Sequence, residues 1–150
     1  MLFLSCDYKY LSVMHFYSRT FDDTVNRGTE FGESLRGGEA VLLVGPLGSG
    51  KTAFTKGIAI GLGIEDMVTS PSFSIMNIYE GKIKLYHFDF YRLDDPVEME
   101  DLLQDYVYAR DAVSVIEWGE QLQNRLPDFI LIQFEILKDG RCIAVQRGGS

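Results

Sequence analysis

AVLLVGPLGSGKT, residues 40–52, is the stretch of this 150-residue chain that points most directly to a fold class. Its first five residues are all apolar, which is typical of a strand covered by helices on both faces. Residues 45–52 place two glycines around four residues and then add Lys and Thr, the spacing of a phosphate-binding P-loop. Residues 52–63 carry apolar side chains at helical spacing and end in glycines. The stretch therefore predicts a central strand, a phosphate-binding loop and a helix in succession.

The loop residues predict an ATP site because glycines let consecutive backbone N–H groups turn toward one anion, and the following helix adds its positive end. Lys51 is expected to reach the β and γ phosphates, and the Thr52 hydroxyl is expected to bind Mg²⁺. Pro46 lacks a backbone N–H, so it removes one phosphate contact. The alternative is a plain glycine turn capped by Thr52. The predicted nucleotide-binding residues are Gly45, Pro46, Leu47, Gly48, Ser49, Gly50, Lys51, Thr52 and Ala53.

Two acidic residues end apolar strand candidates elsewhere in the chain. Asp89 ends IKLYHFD, and Glu117 ends AVSVIE. Because the carboxyl ends of parallel strands meet at one sheet edge, both acids are expected where the P-loop opens. One acid can serve Mg²⁺ while the other orients or activates water, so we predict Thr52, Asp89 and Glu117 at the metal and Lys51 and Glu117 in catalysis. The alternative is that each acid only marks where a strand leaves the core.

The remaining pattern predicts an α/β protein with a three-layer, P-loop NTPase-like fold and a mixed β-sheet. Residues 15–18 are a short strand candidate, and Thr20 is expected to cap a helix that stops before Gly37. Gly81 marks a hairpin turn, Pro96 begins a helix, and residues 129–146 are predicted to form two strands joined by a turn. We expect one P-loop ATPase domain over residues 15–147. Residues 1–14 are expected to be either a disordered extension or a mis-called start.

Composition limits the classes of function. The formal net charge is −8 and the basic residues are scattered, which argues against strong sequence-independent binding to nucleic acid. If nucleic acid is involved, a partner is expected to hold it. The two cysteines, Cys6 and Cys142, are too few for a disulfide framework and lack metal-site spacing. No apolar run approaches the roughly 20 residues that a membrane span requires. We therefore expect a cytoplasmic protein with no membrane contact.

Three further residues carry open alternatives. Arg92 either approaches the nucleotide or a partner, or pairs with nearby acids at positions 94 and 95. Trp118 either packs in the core or lies beside the active site or a partner. His87 is predicted to be structural, because strand alternation would point it to the face opposite the acid at the end of its strand.

The ordered motifs TFDDT, GPLGSGKT, TSPSFSI, YHFDFYRL and IEWGE closely resemble the TsaE family, the small bacterial ATPases of tRNA threonylcarbamoyladenosine biosynthesis. The resemblance covers roughly residues 15–137. It implies that Lys51 and Thr52 are the phosphate and Mg²⁺ residues, that Asp89 is the Walker B acid, and that Glu117 acts near the γ-phosphate. It also implies that residues 69–74 form a mobile, switch-like loop.

The resemblance further implies partners. In the family, the ATPase joins a TsaB–TsaD pair, in which TsaD transfers the threonylcarbamoyl group to an adenosine of the tRNA anticodon loop. ATP turnover is expected to support repeated rounds of modification, and tRNA is expected to be met only through the complex. The isolated chain is expected to be a weak ATPase. Two rival readings remain: a small-molecule kinase, although no arginine-rich lid is evident, and a nucleotide-gated interaction protein without turnover.

Overall fold

The computed structural model describes residues 14–71 and 74–149. In chain order the elements are β1 (Met14–Ser18), α1 (Phe21–Ser34), β2 (Ala40–Val44), α2 (Lys51–Gly61), β3 (Met76–Tyr79), β4 (Lys84–Asp89), α3 (Pro96–Leu103), β5 (Ala112–Glu117), a 3₁₀ helix (Glu120–Asn124), β6 (Phe129–Leu137) and β7 (Gly140–Gly148). Of the segment 1–14 that was expected to be an extension or a mis-called start, residues 1–13 lie outside the described residues, whereas Met14 is the first residue of β1.

The strands form one seven-stranded sheet in the order β1-β7-β6-β2-β5-β4-β3. β2 lies at the centre, as the apolar run predicts, and pairs in parallel with β5 and β6. β4 is parallel to β5, whereas β3 pairs antiparallel with β4 and β7 with β6. The predicted mixed sheet is therefore confirmed, and the carboxyl ends of β2, β4, β5 and β6 share one edge.

Helices cover both faces of the sheet, as the apolar side chains at every position of the central strand require. Val41 and Leu43 belong to the core cluster that contains α2, together with Phe54 and Ile58. Ala40 and Leu42 face the other way, into a second cluster that contains residues of α3 and the 3₁₀ helix. Side chains of a strand alternate between faces, so an uninterrupted apolar run requires two cores. The three-layer α/β prediction is confirmed.

The helices α1 and α2 cross at very close range through glycines. A Cβ added at Gly28 would lie 2.2 Å from the Phe54 carbonyl oxygen, and one added at Gly57 would lie 2.1 Å from the Val25 carbonyl oxygen. These positions exclude any larger residue unless the helices separate. The close packing anchors α2, and with it the loop that precedes α2.

Several predicted local signals are present. The Thr20 side chain accepts a hydrogen bond from Asp23 N–H, and the Asp23 carboxylate accepts one from Thr20 N–H, which completes a capping box. Pro96 stands at the start of α3, behind Asp95 as N-cap. Gly81 lies between β3 and β4, which form the predicted hairpin. Within residues 14–71 and 74–149, no helix is both long enough and apolar enough to cross a membrane.

Candidate nucleotide-binding site

The loop between β2 and α2 has the backbone conformation that an anion cradle requires. Gly50 is the N-cap of α2 with a left-handed φ of 107°, and Gly48 has a φ of 76°. A Cβ at Gly50 would also lie 3.3 Å from Thr24 Cγ2, so glycine is needed there for space as well as for φ. No side chain caps the first N–H groups of α2 at this position. These donors face the loop without an intrahelical partner, as in other anion-binding helix starts.

Lys51 is buried beneath this loop with its ammonium held on two sides. Its Nζ donates a 2.6 Å hydrogen bond to the Gly45 carbonyl oxygen and lies 3.4 Å from the centre of the Trp118 ring. Burial lowers the pKa of Lys51 from its ordinary value, while the negative charges of Glu117, Glu120 and Asp89 act in the opposite direction. The ammonium is therefore only partly compensated, a state that favours an incoming anion.

The two predicted acids are neighbours in the sheet. Asp89 and Glu117 are directly paired at the ends of the parallel strands β4 and β5, as expected from the sequence. The Asp89 carboxylate accepts hydrogen bonds from Ser70 Oγ at 3.2 Å and from Tyr91 N–H at 3.0 Å. These two contacts hold the Asp89 carboxylate at the sheet edge beside the loop.

Glu117 is held by His87, and the predicted orientation of His87 was wrong. His87 and Asp89 are two positions apart on β4, so alternation places them on the same face rather than on opposite faces. The His87 side chain is fully buried, and its Nε2 lies 2.5 Å from Glu117 Oε2. Its Nδ1 has no hydrogen-bond partner among the described residues. His87 therefore holds Oε2 of Glu117, and Oε1 of the same carboxylate is left available for another hydrogen bond.

Trp118 lies at the site rather than in the interior of the core. The residue has a φ of 61°, which is unusual for a bulky side chain and costs on the order of 1–3 kcal/mol. Its indole stacks on the Tyr91 ring, with centroids 4.9 Å apart and an interplanar angle of 24°. This turn directly after β5 places the indole over Lys51. Of the two alternatives for Trp118, the structure supports the one beside the site.

A cavity of about 380 Å³ opens above the loop. Eight of the residues predicted for the site line it, namely Leu47, Gly48, Gly50, Lys51, Thr52, Ala53, Asp89 and Glu117. Gly45, Pro46 and Ser49 were also predicted but do not line the cavity, and the Ser49 side chain is fully buried. Arg92 is exposed and forms no ion pair with any described residue, so the alternative in which it pairs with the acids at 94 and 95 is not supported.

Further residues of the cavity wall were not predicted as binding residues, although Ser70 belongs to the expected switch-like loop of residues 69–74. Phe21 and Thr24 come from the start of α1, Ser70 and Tyr91 flank Asp89, and Arg141 comes from β7. Tyr91 carries a usable signal, since it follows Asp89 by two residues in the HFDFYRL motif. Arg141 carries none, because 93 residues separate it from Gly48, its hydrogen-bond partner in the loop.

The donor set suits Mg²⁺ bound together with a phosphate ligand. No group of three or more His, Cys, Asp or Glu side chains that could hold a metal occurs in the described part of the chain. Mg²⁺ generally uses one or two protein carboxylates plus phosphate oxygens and waters rather than an all-protein cage. Thr52 and Asp89 line one cavity beside the loop, which fits that mode of binding.

Comparisons with known proteins give a matching family model, similar proteins and a similar solved structure. A family model described as "Threonylcarbamoyl adenosine biosynthesis protein TsaE" matches residues 18–143. A tRNA threonylcarbamoyladenosine biosynthesis protein TsaE from Treponema pallidum is 43% identical over 129 residues, covering 85% of this chain and 95% of that protein. The TsaE of Bacillus subtilis is 45% identical over 91 residues, 60% of this chain and 56% of that protein. The crystal structure of YdiB from Bacillus subtilis matches with a TM-score of 0.72 and 28% identity, covering 92% of this chain and 86% of that one.

Proposed function

Because this chain belongs to the TsaE family of threonylcarbamoyl adenosine biosynthesis proteins, we propose that it is a Mg²⁺-dependent ATPase that serves tRNA threonylcarbamoyladenosine formation. The observation that carries the proposal is the convergence of Lys51, Asp89 and Glu117 on one cavity at the mouth of a P-loop. A plain glycine turn would need neither a buried lysine nor two paired carboxylates at the same sheet edge.

Binding of ATP begins with the exchange of contacts at Lys51. Its Nζ gives up the Gly45 carbonyl oxygen and donates to oxygens of the β and γ phosphates, which compensate its charge better than a carbonyl does. The N–H groups of residues 47–53 that make no hydrogen bond within the loop surround the phosphates, and Pro46 has no N–H to contribute. The adjacent Trp118 indole closes one side of Lys51 from solvent.

Thr52 and Asp89 are the proposed protein groups for Mg²⁺, with Thr52 through its hydroxyl and Asp89 directly or through a water molecule. The ion, when bound, would supply positive charge that offsets the negative charge of the phosphates. Ser70 and the Tyr91 N–H keep the Asp89 carboxylate oriented. Glu117, which the sequence placed at both the metal and the catalytic step, is held by His87 and is proposed primarily for the water.

Hydrolysis requires water to attack the γ-phosphorus as the bond to the β–γ bridging oxygen breaks, giving ADP and inorganic phosphate. Little covalent help is needed because the transition state is loose, so orientation of the water matters most. The Glu117 oxygen that His87 does not hold is proposed to accept a hydrogen bond from that water. His87 keeps the carboxylate in one orientation, which is a positioning role.

The proposed partners are a TsaB–TsaD pair, with tRNA met only through that complex, and the proposed location is the cytoplasm. The net charge of −8 and the scattered basic residues support this division of labour, since they argue against strong sequence-independent binding to a phosphate backbone. The unit proposed to act is the single P-loop domain of residues 15–147. Its turnover is proposed to sustain repeated rounds of modification.

Measurement of ATP turnover with and without the partner pair, with identification of the products, tests the proposal. Free phosphate whose release the partners stimulate supports an ATPase. A phosphorylated metabolite would indicate a kinase, and intact ATP with altered partner binding would indicate a switch without turnover. Absence of ATP binding by the purified chain in Mg²⁺ would refute the site itself.

A further inference from the structure

Arg141 approaches the P-loop from the side opposite the acids. β4 and β5, which end in Asp89 and Glu117, lie on one side of the central β2, whereas β6 and β7 lie on the other. Because β7 runs antiparallel to β6, its first residues return to the sheet edge at which the parallel strands end. Arg141 is the second residue of β7 and lines the cavity. The cavity thus has an acidic wall and a basic wall, with the loop between them.

The Arg141 side chain contacts the loop without satisfying its own charge. Its Nη2 donates a 3.0 Å hydrogen bond to the Gly48 carbonyl oxygen, and its Cδ would lie 3.4 Å from a Cβ at Gly50. Its Nε is shielded from solvent and has no hydrogen-bond partner among the described residues. It forms no ion pair with any carboxylate of residues 14–71 or 74–149. A half-buried guanidinium without a counter-charge is costly, and an anion brought to the loop relieves that cost.

We propose that Arg141 is a phosphate-binding residue of the nucleotide site, donating the N–H groups that Gly48 does not use to the phosphate oxygens that ATP and ADP share. The assignment to shared phosphates follows from the two walls. The metal and the γ-phosphate are proposed to lie beside Asp89 and Glu117. The opposite wall therefore faces the phosphates that are nearer the nucleoside. This inference rests on the proposed nucleotide site and adds to it a residue from the far hairpin.

A guanidinium suits this position better than an ammonium does. Its planar fork can hold the loop carbonyl with one N–H and a phosphate oxygen with another, whereas lysine offers one compact charge. The same arrangement joins the cradle to the β6–β7 hairpin, so nucleotide binding should also fix the start of β7 relative to the loop.

The test is titration of Mg-ATP and Mg-ADP against the parent chain, Arg141→Ala and Arg141→Lys, with Arg147→Ala as matched control. Arg147 lies on the same strand, has a side chain that is 72% exposed, and pairs with Asp128 at 3.4 Å, away from the cavity. Arg141→Ala should weaken the binding of ATP and of ADP to the same extent, by about 10- to 100-fold, which is the effect of losing a charge-assisted hydrogen bond. Arg141→Lys should recover part of the loss, and Arg147→Ala should match the parent chain.

Two further measurements separate a phosphate contact from a purely structural role in holding Gly48. The nucleotide-free Arg141→Ala protein should unfold at nearly the same temperature as the parent chain, because the loss of the hydrogen bond to Gly48 is offset by removal of an uncompensated charge. The affinity for Mg-pyrophosphate, which has no nucleoside and is measured by competition with bound nucleotide, should fall in Arg141→Ala by the same factor as the affinity for ATP. Unchanged pyrophosphate affinity, a loss confined to ATP, or a lowered unfolding temperature that accounts for the loss would each overturn the proposal. Failure of the parent chain to bind ATP would instead refute the nucleotide site.

Discussion

Replacement of Glu117 should separate the catalytic contribution of this residue from its structural one. Two variants are needed because Glu117 is buried and contacts His87 through one oxygen. Glu117→Gln keeps the size of the side chain and a polar atom for His87 but removes the charge. Glu117→Ala removes both.

The stability cost follows from the hydrogen bonds of His87. Its Nδ1 already lacks a hydrogen-bond partner among the described residues, so Glu117→Ala leaves a fully buried imidazole without a side-chain hydrogen bond to any of them. Stranding a buried polar group costs about 1–3 kcal/mol. At roughly 2–4 °C per kcal/mol for a chain of this size, the melting temperature should fall by about 2–12 °C. Glu117→Gln should cost less than about 1 kcal/mol, because its amide can still pair with His87.

The catalytic cost should be the same in both variants. Neither an amide nor a methyl group can orient the attacking water as a carboxylate does, so partner-stimulated hydrolysis should fall by roughly 10²-fold or more. ATP affinity should stay within a few-fold, since Lys51 and the loop remain intact. Glu135→Gln, an exposed acid on β6, is the control and should turn over like the parent chain.

The assays are phosphate release with the partner pair, ATP titration in Mg²⁺ and thermal unfolding of each variant. Near-normal turnover by Glu117→Gln would show that Glu117 is structural. Outright loss of ATP binding by the same variant would move Glu117 to the metal site. A fall in turnover by Glu117→Ala alone, in step with its stability, would refute the proposed water contact.

Four further predictions concern the loop, the metal, the switch segment and the helix crossing. Lys51→Ala should abolish tight ATP binding, and unchanged affinity by titration would contradict the site. Asp89→Asn should flatten the dependence of nucleotide affinity on Mg²⁺, because an amide lacks the charge that holds the ion and its waters; an unaltered metal response would disprove the assignment. Hydrogen exchange or proteolysis near residues 69–74, of which 72 and 73 lie outside the described residues, should slow with ATP and Mg²⁺, and equal rates would indicate a static loop. Gly28→Ala should lower the free energy of unfolding by about 3 kcal/mol or more, because the new Cβ would lie 2.2 Å from the Phe54 carbonyl oxygen; denaturant unfolding that shows less than about 1 kcal/mol would mean that the helices separate easily.

Local chemistry in the sequence was sufficient for the fold class and for the loop. The apolar run of β2 requires cover on both faces, and the spacing of glycines, Lys51 and Thr52 has few other physical uses. Because parallel strands end at one edge of a sheet, the acids at the ends of two apolar strands were predicted to be adjacent. Asp89 and Glu117 are paired as predicted. Each of these inferences depends on spacing within a single segment or on a rule that applies to every parallel sheet.

His87 marks the limit of reading one strand at a time. Its two-residue spacing from Asp89 already places it on the same face, so the sequence contained this information and the alternation was misapplied. Its contact with Glu117, however, depends on the register between β4 and β5, which no local signal specifies. The orientation of Trp118 is similar, since a positive φ is not one that tryptophan prefers and its stacking on Tyr91 is a tertiary contact.

Arg141 was accessible only through the tertiary structure. Local propensity specifies that β6 and β7 form a hairpin, but the position of that hairpin beside β2 follows from the strand order of the whole sheet. The strand order is set by how the two cores are filled, a property of many residues far apart in the chain. The sequence by itself therefore determined the acidic wall and the loop of the cavity, whereas long-range packing alone brought Arg141 to Gly48 and made the opposite wall basic.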